Sequence, residues 1–274
     1  MSKKPCIGIT IGDYNGVGPE LIIKTLSNEL VLNYCTPVVY ANTYVFKFYT
    51  ELLEMPLLNF NIVRNANDIK EGQLNLRVCG NDRIEITPGT PSTSAGKFAY
   101  DALQLAVQDI KDGIIENILT APIDKKSTVD AGLSFNGHTQ YFAYEFGSAA
   151  QMILLNDDMR VAMVTGHNAL NEVAERITSE NVLEQIETLH QNLQADFGIT
   201  KPKIAVLGIN PHGGDDGLIG TEEIDHIKPA VKQAQDKGIL AIGPYPPDGF
   251  FGSANADNFD GILGMYHDQV LIPF

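Results

Sequence analysis

The stretch Cys6-Ile7-Gly8-Ile9-Thr10-Ile11-Gly12-Asp13-Tyr14-Asn15-Gly16-Val17-Gly18-Pro19-Glu20 decides the fold class. Its first six residues are a short apolar run with β-branched side chains, which reads as a buried strand. Three glycines then make a turn. Pro19 suits the first helical position, where a missing N–H costs nothing, and a helix follows through residues 21–26. Strand, glycine turn and helix together open an α/β fold, and the same alternation recurs almost to the end of the chain. Strands are expected at 38–40, 114–119, 152–155, 160–164, 204–209, 240–242 and 261–265. Helices are expected at 44–53, from 92–96 to 113, from 178 to 198 and from 221 to 238. Residues 59–88 read as short strands and turns, 123–141 as a polar segment and 243–252 as a Pro/Gly loop. The chain turns polar and glycine-rich near 120–140, which divides it into a first α/β domain over 1–125 and a second over 126–274.

Composition narrows the function classes. With 274 residues, 44% hydrophobic and 19% charged, the chain is long enough for one large or two small cores. The net charge of -15 argues against a nucleic-acid or anionic-membrane surface, and no apolar stretch approaches the ~20 residues that span a bilayer. Cys6, Cys35 and Cys79 are odd in number and scattered, with no metal or redox spacing, and the N-terminus has no signal-peptide profile. Both features fit a cytoplasmic location.

The chemical clue is a set of three histidines. His167 lies in Val164-Thr165-Gly166-His167-Asn168, His212 in Asn210-Pro211-His212-Gly213-Gly214-Asp215, and His267 in Met265-Tyr266-His267-Asp268-Gln269. Each follows an apolar run that reads as a buried strand. Ligands of open α/β sheets gather outside the carboxyl ends of strands, so imidazoles delivered there by three strands can meet on one divalent metal. Three neutral imidazoles leave coordination positions free for water or substrate. Asp268 and Asp215 stand where they could fix the tautomers of their neighbours. Any one such histidine alone is more commonly a hydrogen-bonded structural residue, and His190 and His226, inside expected helices, are read that way.

Other segments carry weaker signals. The turn from Gly12 to Gly18 could cradle an anion at a helix N-terminus, but it matches neither phosphate-loop spacing, and a tight ligand-free turn is an equal reading. His138 and Thr139 follow Asn136-Gly137 in a polar loop and could hold polar groups of a substrate. Asp124 and Lys125 could line a cleft or simply open an exposed helix. Asp248, in the stiff loop Pro246-Pro247-Asp248-Gly249, could act as an acid/base or be an ordinary corner.

In order along the chain, several of these segments resemble the 4-hydroxythreonine-4-phosphate dehydrogenase (PdxA) family of vitamin B6 biosynthesis. They are Ile9-Thr10-Ile11-Gly12-Asp13 with Gly16-Val17-Gly18-Pro19-Glu20, Thr120-Ala121-Pro122-Ile123 with Lys125, Gly137-His138-Thr139, Val164-Thr165 with His167, Asn210-Pro211-His212 with Gly214, and Met265-Tyr266-His267-Asp268-Gln269. The resemblance implies two α/β/α domains of isocitrate/isopropylmalate dehydrogenase type with a cleft between them. It implies a homodimer whose active site is shared between subunits, with metal ligands at His167, His212 and His267 and substrate contacts at His138 and Thr139. The cofactors implied are NAD, with NADP as the alternative, and a divalent metal, zinc first with cobalt or magnesium as alternatives. Cofactor-binding residues stay unassigned, and Asp248 and Lys125 are the candidate catalytic residues. The partners implied are a small phosphorylated hydroxy-amino acid and a second copy of the chain, with no nucleic acid and no membrane.

This chain departs from the family's usual residues at Tyr14-Asn15 (commonly Pro-Ala), Asp124 (Asn), Gln140 (Glu), Gly166 (Thr), Asp215 (Glu) and Gly249 (Thr), none of which removes a metal ligand. In the family, a lysine, an asparagine, an arginine and the rest of the first domain follow the position of Phe274, so a chain ending there is expected to be inactive and poorly folded. The implied activity is oxidation of 4-phosphohydroxy-L-threonine at its 3-hydroxyl, then decarboxylation to 3-amino-2-oxopropyl phosphate. The alternatives are a related dehydrogenase of threonate or erythronate 4-phosphate, a metal-dependent phosphohydrolase, and a non-catalytic metal or nucleotide binder.

Overall fold

The computed structural model describes residues 4–80, 84–135, 137–148 and 150–274. The chain forms two compact units, Met1–Ala150 and Gln151–Phe274. The secondary structure of both is α/β, as the opening stretch implies.

In the first unit β1 (Cys6–Thr10) leads through the glycine turn into α1 (Gly18–Leu26), followed by α2 (Val31–Tyr34), β2 (Thr36–Ala41) and α3 (Thr43–Leu52). Then come β3 (Asn61–Val63), β4 (Asn75–Val78), α4 (Thr93–Lys111), β5 (Asn117–Thr120), α5 (Lys125–Asp130) and α6 (His138–Phe146). The strands pair in parallel in the order β3-β4-β2-β1-β5. Every residue of β2 is buried, as a strand covered on both faces must be. Side-chain caps start the long helices where the sequence suggests. Asn42 accepts the Val45 N–H at α3, and Ser92 accepts that of Ala95 at α4.

The boundary differs from expectation. Residues 126–150 belong with the first unit, not the second. The polar surface of 123–141 hides an inner face, on which Leu133 and Tyr141 pack against Leu103 and Val107 of α4. Gly96 makes the approach close, because a Cβ there would run into the backbone of Ser127 in α5.

The second unit comprises β6 (Ile153–Leu155), β7 (Arg160–Met163), α7 (Leu170–Arg176), α8 (Ser179–Ala195), β8 (Lys203–Leu207), α9 (Lys228–Asp236), β9 (Leu240–Tyr245), α10 (Pro247–Phe251), β10 (Gly261–Gly264) and α11 (His267–Leu271). The sheet order is β6-β7-β10-β8-β9, parallel except for β6. Side chains alternate across it. Ala162, Ile204, Val206 and Leu263 face Val182, Ile186 and Leu189 of α8 and Ala230 and Val231 of α9. Val161, Met163, Ala205, Leu207 and Ile262 face Phe250, Phe259 and Val270. Both faces are therefore covered, which gives three layers.

Two local expectations are corrected. The 243–252 segment is not a loop, since β9 runs to Tyr245 and Pro247 opens α10. The helix expected from 221 begins as a π-helical turn, Glu223–Ile227, before α9. Among the described residues no helix is long and apolar enough to cross a membrane.

Candidate active site

All three singled-out histidines stand just past the carboxyl ends of parallel strands, and those strands are neighbours. His167 follows β7, His267 follows β10 and His212 follows β8, the three middle strands of the second sheet. The rings of His167 and His267 lie against each other, with centres 5.5 Å apart and planes tilted by 42°. Nδ1 of His267 is 2.7 Å from a carboxylate oxygen of Asp268. Among the described residues of the single chain, no group of three His, Cys, Asp or Glu side chains is close enough to hold a metal ion. His167 and His267 come together, and His212 is not a third member of that pair. The spacing of the two ring centres is near that of two imidazoles sharing one ion. Two imidazoles on one tetrahedral ion, bonded at about 2.0–2.1 Å, have ring centres roughly 5 Å apart.

His212 sits in an unusual loop. His212, Gly213, Gly214, Asp215 and Asp216 all have left-handed backbone, with φ between 45° and 82°. Such a conformation costs roughly 1–2 kcal/mol for each residue with a Cβ, so the surroundings must hold it. Glu223 does much of this. Its buried carboxylate accepts the N–H of Ile209 and of Asn210, each at 2.8 Å, and the Asn210 side-chain amide at 2.9 Å. In the sequence Glu223 reads only as an acid at the positive end of a helix. Its inward placement depends on the π-helical turn, which periodicity does not reveal. Asp268 contacts a histidine as anticipated, whereas Asp215 is bonded to no histidine ring among the described residues.

His212, Asp248, Tyr266, Asp268 and Asn210 line one cavity of about 640 Å³ in the second unit. Asp248 is exposed near the start of α10, so one candidate acid/base shares a cavity with one candidate ligand.

Lys125, His138 and Thr139 belong to the first unit. Asp124 caps α5 by accepting the Ser127 N–H at 2.7 Å, so Lys125 is the first residue of a helix. Bonds from the Ser127 hydroxyl and N–H hold the Asp124 carboxyl below the usual carboxylate range. The expected polar loop at 136–139 is a helix start. Gly137 is the N-cap of α6, and His138 and Thr139 are its first residues. Asn136 lies outside the described residues. The Lys125 Cε is 4.0 Å from where a Cβ on Gly137 would stand, so Lys125 and the start of α6 are neighbours. His138 stacks on Phe142, with ring centres 6.2 Å apart, and burial lowers its pKa from the ordinary histidine value.

The glycine turn is not an open cradle. Asp13 N–H donates to the Pro122 carbonyl, Asn15 N–H to the Asp13 carboxylate and Gly16 N–H to the Asp13 carbonyl. A Cβ at Gly12, where φ is +70°, would strike the Pro122 carbonyl. Burial pushes the Asp13 carboxyl up, opposed by the Asn15 N–H and aided by Asp124 nearby. Asn15 ties the turn to the start of α4. Its side chain donates to the Thr90 carbonyl and accepts from the Thr87 N–H, both at 2.9 Å.

A 4-hydroxythreonine-4-phosphate dehydrogenase of Bacteroides thetaiotaomicron is 44% identical over 98% of this chain and 74% of its own. A chain of Oceanobacillus iheyensis, provisionally named a D-threonate 4-phosphate dehydrogenase, is 35% identical over 98% of this chain and 82% of its own. The crystal structure of a 4-hydroxythreonine-4-phosphate dehydrogenase from Burkholderia phymatum matches with a TM-score of 0.88 and 32% identity, covering 99% of this chain and 83% of that one. The family model described as "Pyridoxal phosphate biosynthetic protein PdxA" matches residues 33–274. The chain belongs to the PdxA family.

Proposed function

We propose that the protein is an oxidoreductase of pyridoxal phosphate biosynthesis. It oxidises 4-phosphohydroxy-L-threonine at the 3-hydroxyl, with NAD as acceptor and a divalent metal, and the product decarboxylates to 3-amino-2-oxopropyl phosphate. The observation that carries the reading is the His167–His267 pair beside Asp268, at the ends of adjacent parallel strands, in a chain of this family. His167 and His267, with ring centres 5.5 Å apart, supply two nitrogen donors, and His212, following the adjoining strand, is the third donor, brought to the pair with the participation of a second copy of the chain. A divalent cation held by such donors supplies Lewis-acid polarisation of the substrate hydroxyl and of the ketone that replaces it. Histidine donors suit zinc, with cobalt as an alternative.

With Nδ1–H donated to Asp268, the nitrogen of His267 that would ligate is Nε2. Asp248, exposed in the cavity that His212 lines, is placed to take the hydroxyl proton. His138 is biased toward its neutral form by burial and can donate and accept hydrogen bonds to the substrate together with Thr139. Lys125, beside the start of α6, offers a cation to an anionic substrate group. The chemistry balances. The carbinol carbon gives up a hydride, the hydroxyl proton leaves, and the β-keto acid sheds CO₂ as its C–C electron pair passes into an enol that regains a proton.

A second reading is favoured by the Oceanobacillus relative, whose provisional name specifies a phosphorylated sugar acid. The test is absorbance of the reduced nicotinamide with 4-phosphohydroxy-L-threonine, and separately with threonate and erythronate 4-phosphates, each with and without a chelator. Chelator-sensitive turnover of the amino acid is expected. Turnover of the sugar acids alone would select the second reading. Phosphate release with no absorbance change would replace both with a phosphohydrolase.

A further inference from the structure

The three histidine-bearing loops are joined at their roots by buried hydrogen bonds that none of the chemistry above uses. Thr165 lies two residues before His167, and its N–H and its hydroxyl both donate to the Met265 carbonyl, at 3.1 and 2.7 Å. Met265 lies two residues before His267. Its own N–H donates to Oε1 of Gln269 at 2.6 Å, and Nε2 of Gln269 donates to the Gly208 carbonyl at 2.7 Å. Gly208 directly follows the strand that leads to His212, and Glu223 grips the next two amides. Thr165, Met265 and Gln269 are all buried. One path of bonds therefore runs across β7, β10 and β8 at the level where the chain leaves the sheet.

Gln269 is the member whose chemistry cannot be exchanged. It faces an N–H on one side and a C=O on the other, so the site needs one acceptor and one donor on a single planar group. A carboxamide meets that need. A carboxylate would set oxygen against the Gly208 carbonyl, and a thioether or alkyl chain would leave two buried backbone groups unpaired. The fit is also steric, because a Cβ at Gly264 would stand 3.0 Å from Gln269 Oε1 and clash with Val270.

We propose that Gln269 is a positioning residue for the metal-binding histidines. Through the Met265 N–H it fixes the strand end from which His267 projects, braced on the Gly208 carbonyl, and Thr165 holds that strand end against the one that carries His167. The inference rests on the reading of those histidines as metal ligands. It differs from the expected roles of Asp268 and Asp215, which concern tautomers, because it concerns the backbone from which the rings hang.

The test compares wild-type protein with Gln269→Met, Thr165→Val and a control, Gln235→Met. Gln235 also ties a helix to a strand carbonyl in this unit, donating to Ala241 at 2.8 Å, but away from the histidines. Zinc and cobalt affinities are measured by chelator competition at a temperature where circular dichroism shows each variant folded. Amide exchange at Met265 is followed without metal. The expected result is a 10–100-fold weaker cation affinity for Gln269→Met, a smaller loss for Thr165→Val, wild-type affinity for Gln235→Met, and faster exchange at Met265 only in Gln269→Met. Should Gln269→Met fail to fold, Thr165→Val decides. Wild-type affinity in a folded Gln269→Met, or in Thr165→Val when it decides, overturns the positioning role, as does an equal loss in the control. A wild-type protein that binds neither cation overturns the metal reading, and the positioning role with it.

Discussion

The buried carboxylate of Glu223 accepts the backbone N–H of Asn210 at 2.8 Å, two residues before His212. It is the inner anchor of a left-handed loop that would otherwise be strained. Glu223→Ala would leave the Ile209 and Asn210 amides without an acceptor and is expected to cost about 2–4 kcal/mol. Glu223→Gln, which keeps one oxygen, should lose less. Urea denaturation of the three proteins checks this, and a midpoint for the alanine variant equal to wild type would contradict it.

His138 should titrate below the ordinary histidine value of about 6.5, because burial disfavours its charged form. The sign follows from linkage. The unfolded chain binds the proton more readily, so this residue's contribution to stability is whole above the unfolded pKa and is lost as pH falls through the folded one. The ring-proton resonance that disappears in His138→Gln, followed by NMR against pH, gives the midpoint. A midpoint above 6.5 would refute burial as the controlling cause.

In the first unit, Asp109 is buried between the Tyr40 hydroxyl, which donates to it at 2.9 Å, and Arg77 Nε at 3.2 Å. Burial and the Asp109 charge push the Tyr40 phenol well up, so it stays a neutral donor. Tyr40→Phe should cost about 1–2 kcal/mol. Asp109→Ala, which strands a mostly buried guanidinium, should cost about 3–5 kcal/mol. Thermal unfolding ranks the two variants, and the reverse order would count against the cluster as described.

Asp268 is exposed at 72% of its side chain, yet it contacts a ring that the proposed metal needs. Asp268→Asn is expected to weaken cation affinity by about 10-fold, the lower end for an outer-shell partner. It should leave the unfolding midpoint within about 0.5 kcal/mol of wild type, as for an ordinary surface change. Chelator competition and denaturation, run side by side, separate the two effects.

The strands were legible because runs such as 161–163 and 204–207 are β-branched or apolar without a polar break, as strands of a sheet buried on both faces are. The histidines were legible because each stands just past such a run. The helix at Pro247–Phe251 was not, since a proline that opens a helix carries the same letters as one that ends a strand. The unit boundary was missed because the approach of Gly96 to Ser127 depends on a contact between distant segments. Glu223 and Gln269 were readable as residue types but not as inward-facing groups. Their partners are backbone atoms, which have no sequence signature.

β10 lies between β7 and β8 in space but after both in the chain, and its bonds to β7 join residues about a hundred positions apart. Until β10 is made, β7 and β8 have no strand to pair with along their facing edges. The histidines that follow β7 and β8 thus take up their neighbouring places only after β10 has paired with both, a non-local closure of the kind that slows folding.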